Sequence, residues 1–314
     1  VERLVEALRG VGLAARVAWT PKDRHLLVVD AGADPLCRCL VAVGGDGTVA
    51  GLINERPQAP MTVLRAGTEN LFARHFGLSA DPRAIAAMIA RGQTLRIDLG
   101  RASDRRFALM AGLGFDADVV TRHHLSRLGP AGRVRPTHRA AYLGPGLSAS
   151  LHYRFPPLTV TITDPGPEET LVGAMVFLFN LPCYALGLPI APSAREDDGL
   201  LDLVVFRKPG FFHALRYLGL VYLGWHLRTR SVEHRRVRRV QVTAAEPAPV
   251  QLDGDPAGVV PTLGGGPSWT AEVLPRALEI LVPQSYHPVG STPGEKPGRT
   301  AWPQALVQSP EPAS

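Results

Sequence analysis

The stretch Leu40-Val41-Ala42-Val43-Gly44-Gly45-Asp46-Gly47-Thr48 decides the fold. Its first half is apolar, β-branched and short, the pattern of a buried strand. It stops on three glycines around one carboxylate. Glycine accepts φ > 0 and close backbone approach, so successive N–H groups can converge on a phosphate. Asp46 repels a phosphate directly and is better suited to receive a hydroxyl proton or to hold a metal that carries the phosphates. Thr48 opens a predicted helix through Val49, Leu52 and Ile53, whose N-terminus also favours anions. The same residues read equally as a strand-to-helix turn with a capping Asp, and spacing alone leaves both readings open.

Outward from this turn the chain alternates. A helix over 1–9 ends at Gly10 and Gly12, residues 14–19 read as a strand closed by Thr20-Pro21, and 36–43 form the next strand. After the glycine turn come a helix to about Glu55, a strand over 61–64, a second turn Gly67-Thr68-Glu69-Asn70, and helices over 71–76 and 83–91. Strand–helix alternation implies parallel βαβ units with ligands at the carboxyl ends of the strands, where both glycine turns lie.

Beyond Gly92 the pattern changes to short strands over 94–100, 106–112, 158–163, 173–180, 200–206, 237–244 and 249–252. Turn residues separate them, as in an antiparallel sandwich. Helical stretches interrupt at 117–128 and 211–227. The fold class is therefore α/β followed by β, with a Rossmann-like N-terminal nucleotide domain over 1–93 and a β-rich domain over 94–283. The Pro-, Ser- and Gly-rich run 284–314 reads as a disordered tail.

Length and composition fit this division. The 314 residues allow a substantial core, the 45% hydrophobic content is ordinary, and the net charge of +6 is compatible with an anionic partner. Base bias in an Arg-rich sequence explains that charge as well. Cys37, Cys39 and Cys183 form neither a metal set nor a disulfide framework, so reducing cytosol is the expectation. No signal-peptide pattern is read at the start, where Glu2, Leu4, Val5 and Leu8 give an amphipathic helix. The most apolar window, 211–227, contains His213, Arg216 and His226 and makes a poor membrane span. It suits a helix lying on a core or touching a membrane surface.

Further acidic turns carry candidate chemistry. Arg195-Glu196-Asp197-Asp198-Gly199-Leu200-Leu201-Asp202 offers carboxylates and turn carbonyls suited to a hard cation, or a solvated turn before a strand. Val250-Gln251-Leu252-Asp253-Gly254-Asp255 is a strand entering an Asp-Gly turn, by itself an ordinary hairpin signal. The Gly67 turn is either a second anion- or ribose-binding lip or a capping box at a helix start.

Taken together, Gly44-Gly45-Asp46-Gly47-Thr48, Gly67-Thr68-Glu69-Asn70-Leu71-Phe72-Ala73-Arg74, Met110-Ala111-Gly112-Leu113-Gly114-Phe115-Asp116-Ala117, Asp197-Asp198-Gly199-Leu200-Leu201-Asp202 and Gln251-Leu252-Asp253-Gly254-Asp255 occur in one order. That order resembles the diacylglycerol kinase catalytic superfamily, with its bacterial lipid kinases and sphingosine kinases, over roughly residues 10–283. The resemblance implies an active site in the cleft between the two domains and transfer of the ATP γ-phosphoryl group to a lipid hydroxyl. It implies that Gly44, Gly45, Asp46, Gly47 and Thr48 line the triphosphate, with Thr20, Gly67, Thr68 and Asn70 also on the nucleotide. Asp46 would act near the reacting phosphoryl and its Mg²⁺. Asp255, preceded by Asp253, would stand at the position of the family's proton-accepting Glu. A family Mg²⁺ site maps to Asp198, with backbone carbonyls of Arg195 and Leu200.

The implied partner is a lipid at a membrane surface, reached by a cytoplasmic, peripherally bound protein. The resemblance implies no nucleic-acid partner, and a homodimer is a candidate assembly. The Arg235-Arg236 and Arg238-Arg239 pairs, with Arg228 and Arg230 nearby, either attract anionic lipid or form a solvated strand edge. Departures are specific: no Asn-Pro-x-Ser-Gly loop precedes Val1, which is not Met, so a truncated first loop is the expectation. Ala50-Gly51 replaces a family Asn-Glu, Leu71 replaces an Asp, and Asp255 is one methylene shorter than Glu. The alternatives are a catalytically weak nucleotide- or lipid-binding regulator of the same family and an NAD kinase, whose family shares Gly-Gly-Asp-Gly-Thr.

Overall fold

A computed structural model describes residues 1–127, 153–182, 184–262 and 264–288. Cys183 and most of the expected tail, from residue 289 onward, lie outside the described residues.

The N-terminal third is α1 (Glu2–Gly10), α2 (Pro21–Ala33), β1 (Leu40–Gly44), α3 (Asp46–Asn54), β2 (Met61–Arg65), α4 (Leu71–His75) and α5 (Pro82–Arg91). Strands β1 and β2 pair in parallel, Leu40 opposite Met61 through Gly44 opposite Arg65. The alternating strand–helix order thus gives the expected βαβ geometry around α3.

Three local expectations change here. Residues 14–19 form no strand: they are mostly exposed, and Trp19 is 74% exposed, so no sheet edge supplies the backbone partners a strand requires. Helix α2 occupies a segment in which no helix was anticipated. Thr20 is its N-cap, accepting from the Asp23 N–H, with Pro21 in the first turn. Helix α3 opens at Asp46, with Gly45 as N-cap, two residues ahead of Thr48.

The remainder contains β3 (Thr94–Ala102), β4 (Arg105–Phe107), β5 (Met110–Gly114), α6 (Phe115–Arg127), β6 (Leu158–Asp164), β7 (Glu169–Gly173), β8 (Met175–Phe179), β9 (Leu201–Phe206), α7 (Phe211–Tyr222), β10 (Val232–Val237), β11 (Arg239–Ala244), β12 (Ala248–Leu252), β13 (Asp255–Val260) and β14 (Trp269–Leu281). An eight-stranded sheet runs β1-β2-β14-β11-β6-β7, with β3 also on β14 and β4 on β3; a six-stranded sheet runs β10-β9-β8-β5-β12-β13. Their facing side chains, among them Val160, Leu203, Val242 and Val250, make the apolar layer between the sheets. A second apolar cluster, including Ile53, Phe72 and Phe76, packs the N-terminal helices onto the first sheet.

Strand β14 ties the halves together. It runs antiparallel to β3 from Ala271 to Leu281, while Ile280 meets Met61 of β2 in parallel. Two expected single strands are each divided between the sheets. The segment 106–112 splits into β4 and β5, and 237–244 is separated from β10 at Arg238. Each break lets one chain segment serve both layers of the sandwich.

Candidate functional site

The two glycine turns meet through backbone. A Cβ on Gly67 would lie 2.4 Å from the Gly45 Cα, and one on Gly44 would lie 2.1 Å from Thr48 Oγ1. No side chain fits at either place, which is the physical reason for glycine there. The Ala66 N–H donates to the Gly44 carbonyl at 2.9 Å, extending the β1–β2 ladder into the turns. Asn70, at φ 50°, closes the second turn on itself: its Oδ1 accepts from the Gly67 N–H and its Nδ2 donates to the Gly67 carbonyl.

Asp46 sits at the junction. Its Oδ2 accepts from the Leu71 N–H and its Oδ1 from the Phe72 N–H, each at 3.0 Å. The carboxylate therefore caps α4 from a distant part of the chain and locks one glycine turn to the other. Burial pushes its pKa up against the pull of those two amides. Arg65 ends β2 opposite Gly44, and its buried Nε has no hydrogen-bond partner among the described residues.

The Asp253-Gly254-Asp255 turn faces this junction from the six-stranded sheet. Asp253, at φ 51°, is half-buried at the edge of the layers, and its carboxylate accepts from the Ala108, Leu109 and Met110 N–H groups at 2.7, 2.8 and 3.0 Å. Those amides lie at the break between β4 and β5, so Asp253 supplies the acceptors that the interrupted ladder lacks. Burial is the main cause that raises its pKa to about 6, with the Asp46 charge adding to it. Asp255 differs. It is likewise half-buried but makes no side-chain hydrogen bond or ion pair with a described residue, and its Oδ2 lies 3.9 Å from where a Gly47 Cβ would stand.

Behind the turn is a polar chain of residues that the sequence reading gave no chemical role, although Asp116, Gln251 and Gly254 stand in two of its motif blocks. Buried Asp116 on α6 accepts from Tyr184 Oη and from Gln251 Nε2, and Gln251 Oε1 accepts from the Gly254 N–H at 2.8 Å. Burial holds the Asp116 pKa high despite both donors. A Cβ on Gly112 would stand 2.2 Å from Asp116 Oδ2, so that glycine makes room for the carboxylate. The Met110–Ala117 and Gln251–Asp255 blocks were the sequence signals for this arrangement, and Tyr184 had none.

Thr20, the other nucleotide candidate on the N-terminal side, is exposed at the α2 N-terminus, its hydroxyl bonded to Asp23. Thr68 lies in the second turn, exposed beside Gly67.

The acidic turn is organised around protein partners. Asp198 Oδ2 pairs with Arg236 and its Oδ1 accepts from the Leu200 N–H. Burial still raises its pKa. Asp98 is fully buried beside it, accepting from Gly199 and Arg276 N–H groups at 2.6 and 2.7 Å, and its pKa is raised mainly by burial. Glu196 is buried against His75 and Tyr286; burial pushes its pKa up, but those partners hold it below the ordinary value. No group of three acidic, His or Cys side chains among the described residues converges as a metal site. At the expected cation position of Arg195, Asp198 and Leu200, Arg236 is the partner of the Asp198 carboxylate.

Comparison with known proteins identifies the family. The diacylglycerol kinase catalytic domain family matches residues 1–102, and the YegS C-terminal NAD kinase beta sandwich-like domain family matches 112–282. A diacylglycerol kinase of Mycobacterium tuberculosis strain H37Rv is 32% identical over 288 residues, covering 88% of this chain and 86% of that protein. A probable lipid kinase YegS-like of Pseudomonas aeruginosa strain PAO1 is 31% identical over 302 residues, covering 90% and 89%. A crystal structure of a putative diacylglycerol kinase from Bacillus anthracis shares the fold with TM-score 0.67 at 18% identity, covering 90% and 91% of the two chains. Kinases of this family use a nucleotide, and no helix among the described residues is long and apolar enough to cross a membrane. Two glycine turns locked by Asp46, facing an aspartate turn across a two-sheet sandwich, thus occur in a chain that belongs to the diacylglycerol kinase and YegS-like family of lipid kinases.

Proposed function

We propose that the protein transfers the γ-phosphoryl group of ATP, carried with Mg²⁺ as the nucleotide's counter-ion, to the hydroxyl of a diacylglycerol-like or sphingoid lipid. The observation that carries this reading is Asp255: a carboxylate with no partner among the described residues, beside Gly47 at the start of α3. Gly45, Gly47, Thr48, Gly67, Thr68, Thr20 and Asn70 surround the triphosphate, whose charge is met by the first-turn amides of α3 and by Arg65. Asp255 accepts the lipid hydroxyl proton as that oxygen bonds to the γ-phosphorus and the bond to the β–γ bridging oxygen breaks, releasing ADP. Asp46 and Asp253 act by position, each holding backbone amides that shape the two turns. The protein works in the cytoplasm at the membrane face where its substrate lies.

The test is transfer of radiolabel from [γ-³²P]ATP to a panel of lipids in mixed micelles, with wild type and Asp255→Ala. Label on a lipid hydroxyl that disappears in the variant, with nucleotide affinity retained, supports the reading. Nucleotide binding with no transfer to any lipid favours the regulatory relative. Equal labelling by both proteins removes Asp255 from the chemistry.

A further inference from the structure

Helix α7 turns its largest apolar side chains away from the protein. Phe212 is 82% and Tyr222 79% exposed, Leu215 and Leu218 are 55% and 50% exposed, while Tyr217 and Val221 on the opposite side are buried. At 3.6 residues per turn, Leu215, Leu218 and Tyr222 share one face, with Phe212 at its edge. Leu223 and Trp225 continue the apolar surface past the helix end. Soluble proteins rarely leave such a surface uncovered.

The charges around this helix have one sign. From Arg207 to Ser231 the sequence contains Arg207, Lys208, Arg216, Arg228 and Arg230 and neither Asp nor Glu. Arg207 pairs with Glu233, but Lys208, Arg216, Arg228 and Arg230 are exposed and form no ion pair with a described residue. Of the arginines that looked from sequence like a lipid-attracting cluster, which include Arg228 and Arg230, three on β10 and at its end are arranged differently. Arg235 pairs with Glu169 and Glu233, Arg236 with Asp198, and Arg238 with Asp164. The charge of these three is compensated within the protein, whereas Arg239, and Arg228 and Arg230 beside α7, form no ion pair with a described residue.

An apolar face flanked by uncompensated cations complements an anionic bilayer, which offers phosphates above and hydrocarbon beneath. Tyr222 and Trp225 are the side chains that sit at headgroup depth, with a polar edge toward water and a ring toward lipid. We propose that α7 and its extension to Arg230 are the surface by which this protein docks on an anionic membrane. The helix lies in the interface plane, with Phe212, Leu215 and Leu218 toward the acyl chains, Tyr222 and Trp225 at the headgroups and Arg216, Arg228 and Arg230 at the phosphates. The purpose of the docking, though not the docking itself, rests on the lipid-kinase reading.

Co-sedimentation of the full chain with phosphatidylcholine–phosphatidylglycerol vesicles, without nucleotide, tests this directly. Wild type is expected to bind these vesicles and to bind pure phosphatidylcholine more weakly. Phe212→Ser with Tyr222→Ser is expected to lower binding by about tenfold or more, since both rings leave water on docking. Arg228→Gln with Arg230→Gln is expected to lower it roughly fivefold per arginine on anionic vesicles only. Unchanged thermal midpoints show that the variants are folded. Equal vesicle binding by wild type and the Phe212/Tyr222 variant overturns the proposal. So does a variant that shifts a monomer–dimer equilibrium with no vesicle binding by wild type, which assigns the face to a second copy. A loss of thermal stability without vesicle binding by wild type also overturns it, assigning the face to this chain's own interior. Transfer to micelle-dispersed lipid, measured on the same variants, separates the two readings. Vesicle binding without any transfer refutes the kinase step alone, and full transfer without vesicle binding refutes the docking alone.

Discussion

At the β12–β13 turn, half-buried Asp253 has its carboxylate accepting three backbone N–H groups, whereas Asp255, two residues on and likewise half-buried, has no side-chain partner among the described residues. The motif presents them as a pair of acids, and their surroundings make them different. Asp253 closes an interrupted strand and cannot leave its amides without orphaning buried donors. Asp255 can move and exchange a proton without structural penalty. Asp46 belongs with Asp253, since both its oxygens cap α4. On the proposed reading, catalytic and positioning carboxylates are told apart by what already occupies their lone pairs.

The sharpest way to break this contrast is Asp255→Asn. Loss of a general base costs about 10²- to 10⁴-fold in kcat, and a half-exposed, unbonded side chain should leave the thermal midpoint unchanged. Turnover at wild-type level, or a large fall in melting temperature, would merge Asp255 with Asp253 as a structural acid.

Asp253 is separable by pH. Its pKa is raised from 3.8 to about 6 in the folded protein, so between these values the native state binds more protons than the unfolded chain. Stability from the neutral form is fully present below the unfolded value and is lost as pH rises through about 6, a change of about 3 kcal/mol. Asp253→Asn lacks this titration. Its stability deficit relative to wild type, measured by denaturant unfolding, is therefore expected to be largest near pH 4 and to shrink toward pH 7. A deficit that is constant or that widens with pH would mean Asp253 is not the titrating group.

For Asp46→Asn, one of two buried N–H groups at α4 loses its acceptor, a cost of about 1–3 kcal/mol in unfolding free energy. Nucleotide affinity is expected to fall together with stability, because the residue joins the two glycine turns. An isothermal titration showing unchanged affinity in a destabilised variant would disconnect the cap from the nucleotide site.

Local chemistry made the glycine turns legible, and long-range pairing hid the rest. Gly44, Gly45 and Gly67 announced a close backbone approach because no other residue fits, and the structure shows what each would strike. The β1, α3 and β2 elements followed from periodicity. The division of 106–112 into β4 and β5 did not, since it depends on Asp253, more than 140 residues away in sequence. Strand β14 escaped for the same reason: its partners are β2, β3 and β11, and a bulge at Leu274/Leu278 disturbs its alternation. The arginine pairs 235–236 and 238–239 could be read from composition, but not the compensation of Arg235, Arg236 and Arg238 by Glu169, Asp198 and Asp164.

The smallest expected effect concerns how Asp255 is aimed. Asp116 holds Gln251, and Gln251 holds the Gly254 N–H between the two turn aspartates. Asp116→Ala releases Gln251 Nε2 while leaving every group near Gly47 in place, so it acts on Asp255 only through the turn. A tenfold lower kcat with unchanged KM for nucleotide is the expected result, about 1.4 kcal/mol in the barrier. Asp116→Asn should recover most of it. Its amide oxygen can still accept from Gln251, and its NH₂ can donate to Tyr184 once that hydroxyl rotates. Equal impairment by both substitutions would point to the charge on Asp116 rather than to its geometry. Asp255 would then be tuned from behind instead of held, and the contrast between free and engaged carboxylates would extend one residue deeper into the sheet.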